Sequence, residues 1–215
     1  MKRSLVLVAV LAVVALLVQP ASAQAPNPNP ISLGFRAGMN MGSASFSPDL
    51  PSEVSKSMRT GFAAGGYGEI GVAEGLFVTL EALYAQGGVK LTAGGADETT
   101  KFDFIQIPVS LKYKFNLEGS TVKPFVFAGG DLGITAKAEV ESGSTTLDIK
   151  DSVESMSYGV HFGAGVQFEV SPGVDVFVDG QYGLGLKNLN KSTTNTEEIK
   201  PTNIGILAGV AFKIN

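Results

Sequence analysis

From Ser155 to Val170 the chain alternates without a break. Met156, Tyr158, Val160, Phe162, Ala164, Val166, Phe168 and Val170 are apolar, while Ser155, Ser157, Gly159, His161, Gly163, Gly165, Gln167 and Glu169 are glycine or polar. Successive side chains of an extended strand point to opposite faces, so this segment is a strand with one wholly apolar face. The same period runs through 31–42, with Ile31, Leu33, Phe35, Ala37, Met39 and Met41 on one side, and through 201–214, with Ile204, Ile206, Ala208, Val210, Phe212 and Ile214. Further strands are predicted over 59–72, 76–88, 101–115, 122–135 and 174–186. In 122–135, Phe125 and Phe127 fall opposite Leu132 and Ile134; a bulge or large interior aromatics would explain that.

No segment after residue 30 has sustained helical periodicity. The connections left between the eight strands are 43–58, 73–75, 89–100, 116–121, 136–154, 171–173 and 187–200, alternately long and short. Segregating long loops to one end is the habit of a transmembrane barrel, with short periplasmic turns and long outer loops. The predicted strands also exceed the ~9–11 residues needed to cross a bilayer. The expected fold is therefore all-β, an eight-stranded antiparallel up-and-down transmembrane β-barrel over residues 31–215.

Residues 1–23 read as a cleaved signal peptide. Met1-Lys2-Arg3 is basic, 5–18 (LVLVAVLAVVALLV) is apolar, Pro20 breaks it, and Ala21-Ser22-Ala23 offers a small-residue cleavage site. As a helix, that apolar run spans about 21 Å, short of the ~30 Å hydrocarbon core. Residues 24–30, QAPNPNP, read as an extended linker. Losing Lys2 and Arg3 leaves fourteen bases against twenty acids.

Composition indicates which face points outward. Charged residues are 17% and glycines number 27. A soluble, lipocalin-like barrel would turn the apolar face inward and cover its exterior with Lys and Glu, but the second face here is largely glycine. Glycine makes a poor soluble surface and a good lining for a narrow barrel, where it leaves room for large side chains. Outward aromatics form two bands: Phe35, Tyr113, Phe115, Phe168 and Phe212 toward the short turns, and Phe62, Tyr84, Tyr158 and Tyr182 toward the long loops. Such girdles flank a bilayer.

By parity the inward charges are Arg36, Lys112, Lys114, Lys123 and Lys213 against Glu69, Glu81, Glu169, Asp175 and Asp179. An eight-strand lumen cannot hydrate them singly, so they are expected to pair. Arg36, Glu69, Glu81, Lys112, Glu169 and Asp179 are the expected lumen network, with Asp131 and His161 as a polar pair above. No inward serine stands beside His161 in the sequence, and Ser157 is too far along the strand for a direct bond. Catalysis is therefore not expected. Zero Cys and one His exclude thiolate and poly-His metal sites, so neither metal nor cofactor is expected. Nothing supplies the basic patch that nucleic acid requires. Gly163-Ala164-Gly165 and Gly183-Leu184-Gly185 lie within strands and lack the helix that a phosphate loop needs.

Gly34-Phe35-Arg36-Ala37-Gly38, Leu80-Glu81-Ala82-Leu83-Tyr84, Ile107-Pro108-Val109-Ser110-Leu111-Lys112-Tyr113, Lys123-Pro124-Phe125-Val126-Phe127-Ala128-Gly129 and Tyr182-Gly183-Leu184-Gly185-Leu186, in that order, resemble the outer-membrane β-barrel domain family of small Gram-negative barrels, often called PorT-like. The resemblance covers 31–215. It implies an eight-stranded barrel in the cell outer membrane, with the membrane lipids and the barrel assembly machinery as partners and no catalytic residues to carry over. Many such barrels end on an aromatic, whereas this chain ends Phe212-Lys213-Ile214-Asn215. The expected role is structural or interactive, through loops 43–58, 89–100, 136–154 and 187–200. The alternatives are a small-solute or ion pore and, further off, a lipid-modifying enzyme or a soluble binder.

Overall fold

The computed structural model describes residues 30–191 and 198–214; the expected signal peptide over 1–23 and nearly all of the expected linker over 24–30 lie outside the described residues. Among the described residues nine strands follow in order: β1 (Ile31–Ser47), β2 (Val54–Ala73), β3 (Leu76–Ala93), β4 (Ala96–Lys114), β5 (Val122–Ser142), β6 (Thr145–Asp148), β7 (Met156–Ser171), β8 (Val174–Gly185) and β9 (Glu198–Ile214). A single 3-10 turn, Lys150–Ser152, stands between β6 and β7. Every strand pairs antiparallel with its neighbour. β1 also pairs with β9, from Ile31↔Ile214 to Ser47↔Glu198, and closes a ring of eight. β6 stays outside the ring as a short hairpin partner of β5.

Three tight turns join the strands at one end, each with a glycine at positive φ: Gly75 at 70°, Gly119 at 72° and Gly173 at 81°. A side chain would strain the backbone there. At the opposite end the structure corrects the expected long loops. Segment 89–100 is no loop at all: β3 and β4 continue to a hairpin tip at Gly94 and Gly95, with φ of 57° and 81°. Segment 43–58 shrinks to 48–53, and 136–154 is mostly the end of β5, β6 and the 3-10 turn. Of 187–200, β9 already takes in 198–200, and 192–197 lie outside the described residues. The reason is physical. Beyond the bilayer both faces of a strand meet polar surroundings, so alternation disappears while the backbone ladder continues.

The wall is consequently uneven. β2 to β5 run 18 to 21 residues, whereas β7 has 16 and β8 only 12. Over the low side residues 149–154 and 186–190 fold inward. Val153 bridges Asn190, the Glu154 amide donates to the Leu189 carbonyl at 2.9 Å, and Lys187 pairs with Glu154 at 2.9 Å. Val153 and Leu189 pack on Phe102, Phe104 and Ala138 in a small apolar cluster, with Ile149 against it. The mouth thus has a roof that the sequence did not announce.

Phe125 and Phe127 are both buried in the lumen. Interior aromatics, not a bulge within 122–135, explain that strand's odd pattern. A bulge does occur just beyond it, where Ala136 is passed over between the pairs Phe104↔Thr135 and Asp103↔Lys137. Outside, Phe35 (68% exposed), Leu33, Leu111, Val160, Phe162 and Ile206 form an exposed apolar belt. Tyr113, Phe115, Phe212, Phe62, Tyr84 and Tyr158 are likewise exposed, while Phe168 and Tyr182 are half-buried among neighbours. Tyr113 meets Phe115 edge-on at 5.0 Å, Phe62 meets Tyr84 at 5.8 Å, and Tyr182 meets Phe162 at 5.7 Å.

Candidate functional site: the lumen

The lower lumen is a plug of charges and rings. Arg36 on β1 reaches two strands in each direction. Its Nη1 donates to both carboxylate oxygens of Glu81 on β3 at 2.8 and 2.9 Å, and its Nη2 donates to Asp179 on β8 at 2.6 Å. All three side chains are at most 6% exposed. Charge-assisted bonds of this kind are the strong ones, and burial makes each partner depend on the others. Glu69 belongs to a second set. It accepts from Tyr67 and pairs with Lys114, and Lys112 lies 3.2 Å from it while donating to the Tyr67 hydroxyl at 2.8 Å.

Glu169 departs from expectation. It pairs with Lys213 at 3.1 Å but is 41% exposed, at the rim rather than in the network. The register of β7 against β8 slips between Glu169 and Ser171, which ends the regular inward alternation there. Lys213 also reaches Asp175, which is buried and accepts from Gln167 at 2.8 Å.

Aromatic rings fill the space between these charges. Tyr67 and Phe177 lie 5.1 Å apart, and the Lys112 ammonium sits 4.5 Å from the Phe125 ring centre and 4.8 Å from that of Tyr67. Cation–π contacts of this kind strengthen when desolvated. Gly163, Gly165 and Gly209 make the room, since a Cβ on each would run into the ring of Phe127, Phe125 or Phe177 respectively.

Above the plug, Ser110 on β4 and His161 on β7 share a hydrogen bond at 2.6 Å between Oγ and Nε2. The sequence reading missed this partner because the two residues sit on strands separated by β5. Gly129 stands between them, in register with both. Having no side chain, it lets them meet across it, so the glycine at that register was the available signal. Asp131, two residues up β5, has its Oδ1 3.7 Å from His161 Nδ1. That is longer than a hydrogen bond.

Serine, histidine and aspartate in this order invite a nucleophilic reading. The surroundings do not support one. Ser110 is 3% exposed, and it, Gly129 and His161 lie in unbroken antiparallel ladders that engage the backbone N–H groups an oxyanion hole would need.

Between this row and the roof lies a partly open pocket of about 40 Å³. Asn40, Gln106, Asp131, Ser157 and Asn203 line it, with Phe104 contributed by the roof cluster. Asn203 donates to Asn40 at 3.1 Å, and Asn40 donates to the Gln86 carbonyl at 2.7 Å. On the upper wall, Asp103 accepts from Arg59 at 3.0 Å and from Tyr84 at 2.8 Å.

A closed antiparallel ring with an apolar belt outside, aromatic bands at both edges and its charges paired inside is a transmembrane β-barrel. Residues 22–191 match the family model described as outer membrane protein beta-barrel domain, and the chain belongs to that family, whose place is the outer membrane. No curated protein matches it. Among solved structures it is similar to Neisserial surface protein A, at 19% identity over 85% of this chain and 97% of that one, with a TM-score of 0.49. It is also similar to the outer membrane protein W of E. coli (14% identity, 88% and 100% covered, TM-score 0.49) and to OprG of Pseudomonas aeruginosa (11%, 88% and 98%, 0.49).

Proposed function

We propose that this protein is a closed, non-enzymatic outer-membrane barrel that acts by presenting its tall end to the outside of the cell. The observation that carries this reading is the double obstruction of the lumen. Arg36, Glu81 and Asp179 tie β1, β3 and β8 together across the lower lumen, and Phe102, Phe104, Val153 and Leu189 pack together over its upper part. A solute path would have to break both. In this reading the short turns and the N-terminus face the periplasm, and the hairpin tip at Gly94-Gly95, segment 48–53 and the β5–β6 hairpin face outward as partner-binding surfaces. The outer-membrane lipids hold the belt, and the barrel assembly machinery inserts it.

Planar-bilayer recording on the purified barrel tests the closure; only brief or no current steps are expected, and steady large steps would replace this reading with a pore. Orientation is tested separately, by placing an epitope at Gly94-Gly95 and another at Gly173 and labelling intact cells. Labelling is expected at the first site alone.

A further inference from the structure

β6 is the one strand with a single partner strand among the described residues. It pairs with β5 from Ser142↔Thr145 to Glu139↔Asp148, and its second edge carries no strand. The phase of the ladder fixes which groups that edge presents. Beyond β6 the Ile149 amide donates to the Ala138 carbonyl at 3.0 Å. Every second residue of an antiparallel pair exchanges bonds with its partner, so Thr145 and Leu147, in step with Ile149, spend their backbone groups on β5. The two-residue turn Gly143-Ser144, with Gly143 at a φ of 58°, closes the hairpin on the same phase. Thr146 and Asp148 therefore turn their N–H and C=O groups away from β5, about 6.8 Å apart, onto the open edge.

Open edges are ordinarily blunted by lysine, proline, a bulge or a cover. The barrel does this elsewhere. Where β1 and β2 part above Gly42, the Lys56 ammonium donates to the Ala44 carbonyl at 2.9 Å. β6 has no such guard. It reads Thr145-Thr146-Leu147-Asp148, its register against β5 is unbroken, and all four residues are exposed, Leu147 at 62%. Its shortness limits an incoming strand to two bonded positions.

Charge selects the occupant. Segment 136–154 carries Glu139, Glu141, Asp148, Asp151 and Glu154 against Lys137 and Lys150. Glu139, Glu141 and Glu154 pair with Lys137, Lys101 and Lys187, whereas the Asp148 and Asp151 carboxylates have no Lys or Arg within 4 Å among the described residues. A second copy of this chain would set these acids against their like. Asp148 and Thr146 share one face of the strand and Leu147 takes the other, so a matching segment alternates basic and apolar residues.

We propose that the β6 edge docks an extended basic segment of another polypeptide, which adds as a strand to the backbone of Thr146 and Asp148, sets a lysine or arginine beside Asp148 and lays an apolar side chain beside Leu147. This deepens the reading of the tall end as a partner surface and rests on it. Closure is read by bilayer recording and orientation by epitope labelling, neither of which involves the β6 edge, so failure here and failure of that reading are distinguishable.

The probe is a nine-residue peptide alternating lysine with valine and threonine, titrated into the purified barrel in zwitterionic detergent and followed by amide hydrogen exchange. In the free barrel Leu147 and Ile149 should exchange slowly, and Thr146 and Asp148 fast. Bound peptide should slow Thr146 and Asp148 about tenfold or more and leave Leu147 unchanged. The same peptide with glutamate for lysine should not bind. Thr146→Pro removes an edge donor that β5 does not use and should weaken binding about tenfold, whereas Thr146→Val keeps the donor and should bind as the wild type does. Asp148→Asn keeps the oxygen that accepts from the Lys150 amide and should weaken binding about twofold to fivefold. Should Thr146→Pro lose the heat-dependent gel shift of the folded barrel, peptides N-methylated at alternate residues make the same test from the other side: one methylation phase should bind and the other should not. No protection of Thr146 and Asp148 by the basic peptide would overturn the proposal. So would undiminished binding to folded Thr146→Pro, equal binding of both methylation phases, equal binding of the acidic peptide, or an edge already protected by self-association of the barrel.

Discussion

The two obstructions of the lumen are built on opposite principles. The plug is made of strand residues: Arg36, Glu81, Asp179, Tyr67, Phe125 and Phe177 project from the wall, and the ladder registers fix where each one lands. The roof is made partly of connections: Val153 and Leu189 come from segments held by the Val153–Asn190 bridge, by backbone bonds, by side-chain bonds such as those from Thr135 to the Glu154 carbonyl and from Lys150 to the Ala136 carbonyl, and by an ion pair about one-third exposed. Polar groups positioned by a rigid wall can be mutually dependent and buried. Apolar groups on connections can cover an opening while remaining separable from the wall. The comparison predicts global coupling below and local opening above.

The largest effect is expected from Arg36→Ala. It leaves Glu81 and Asp179 buried without their cation, a class of change that costs about 3–5 kcal/mol. Urea unfolding from lipid vesicles measures it. The double variant Arg36→Ala/Glu81→Ala should cost less than the sum of the single ones, because those residues share bonds. Strict additivity would show that the plug is a collection of independent contacts and would erase the contrast with the roof.

Leu189→Ala comes next. Truncating a fully buried leucine removes about 2–5 kcal/mol of packing. Here that loss should fall on opening of the roof rather than on unfolding of the barrel. Hydrogen exchange should speed up in 149–153 and 186–190 while the protection of β1 and β9 is unchanged. Loss of protection throughout the barrel would mean that roof and wall unfold together.

A smaller change is expected from Lys187→Gln, which breaks the pair with Glu154 at the roof's edge. Both side chains are about one-third exposed, so roughly 0.2–1 kcal/mol is at stake. The weakest effect lies outside both regions. At the β3–β4 hairpin tip, Lys90 and then Thr92 hydrogen-bond the Asp97 carboxyl and hold its pKa below the ordinary aspartate value. A depressed carboxylate contributes stability above its unfolded pKa and loses it as pH falls through the folded one. An NMR titration should show Asp97 protonating at lower pH than a free aspartate, and Lys90→Gln should move it back up.

Much of the wall was legible because a bilayer enforces alternation. β7 could be read residue by residue, and the observed closure of β1 on β9 is what an eight-stranded antiparallel barrel requires. The inward charges were also legible from parity, although partner choice was not. Glu69 took two lysines rather than Arg36, and Glu169 slipped to the rim. Those outcomes depend on strand stagger and on a local register shift, neither of which period 2 encodes. Segments 89–100 and 136–154 resembled loops because polar strands outside the membrane leave no alternating trace. The meeting of Ser110 with His161 was hidden for a different reason: it is a contact across an intervening strand, made possible by what Gly129 lacks.

The seam between β1 and β9 has a consequence in time. It joins the first strand made to the last, over seventeen residue pairs from Ile31↔Ile214 to Ser47↔Glu198. While the chain emerges, β1 can take β2 on one side, but its other edge has no partner until β9 is complete. A strand of that length with bare N–H and C=O groups invites pairing with other chains. It also cannot enter hydrocarbon until those groups are satisfied. The ring therefore has no stable half-built form in the bilayer, and its outer edge must be sheltered from synthesis until the final strand docks.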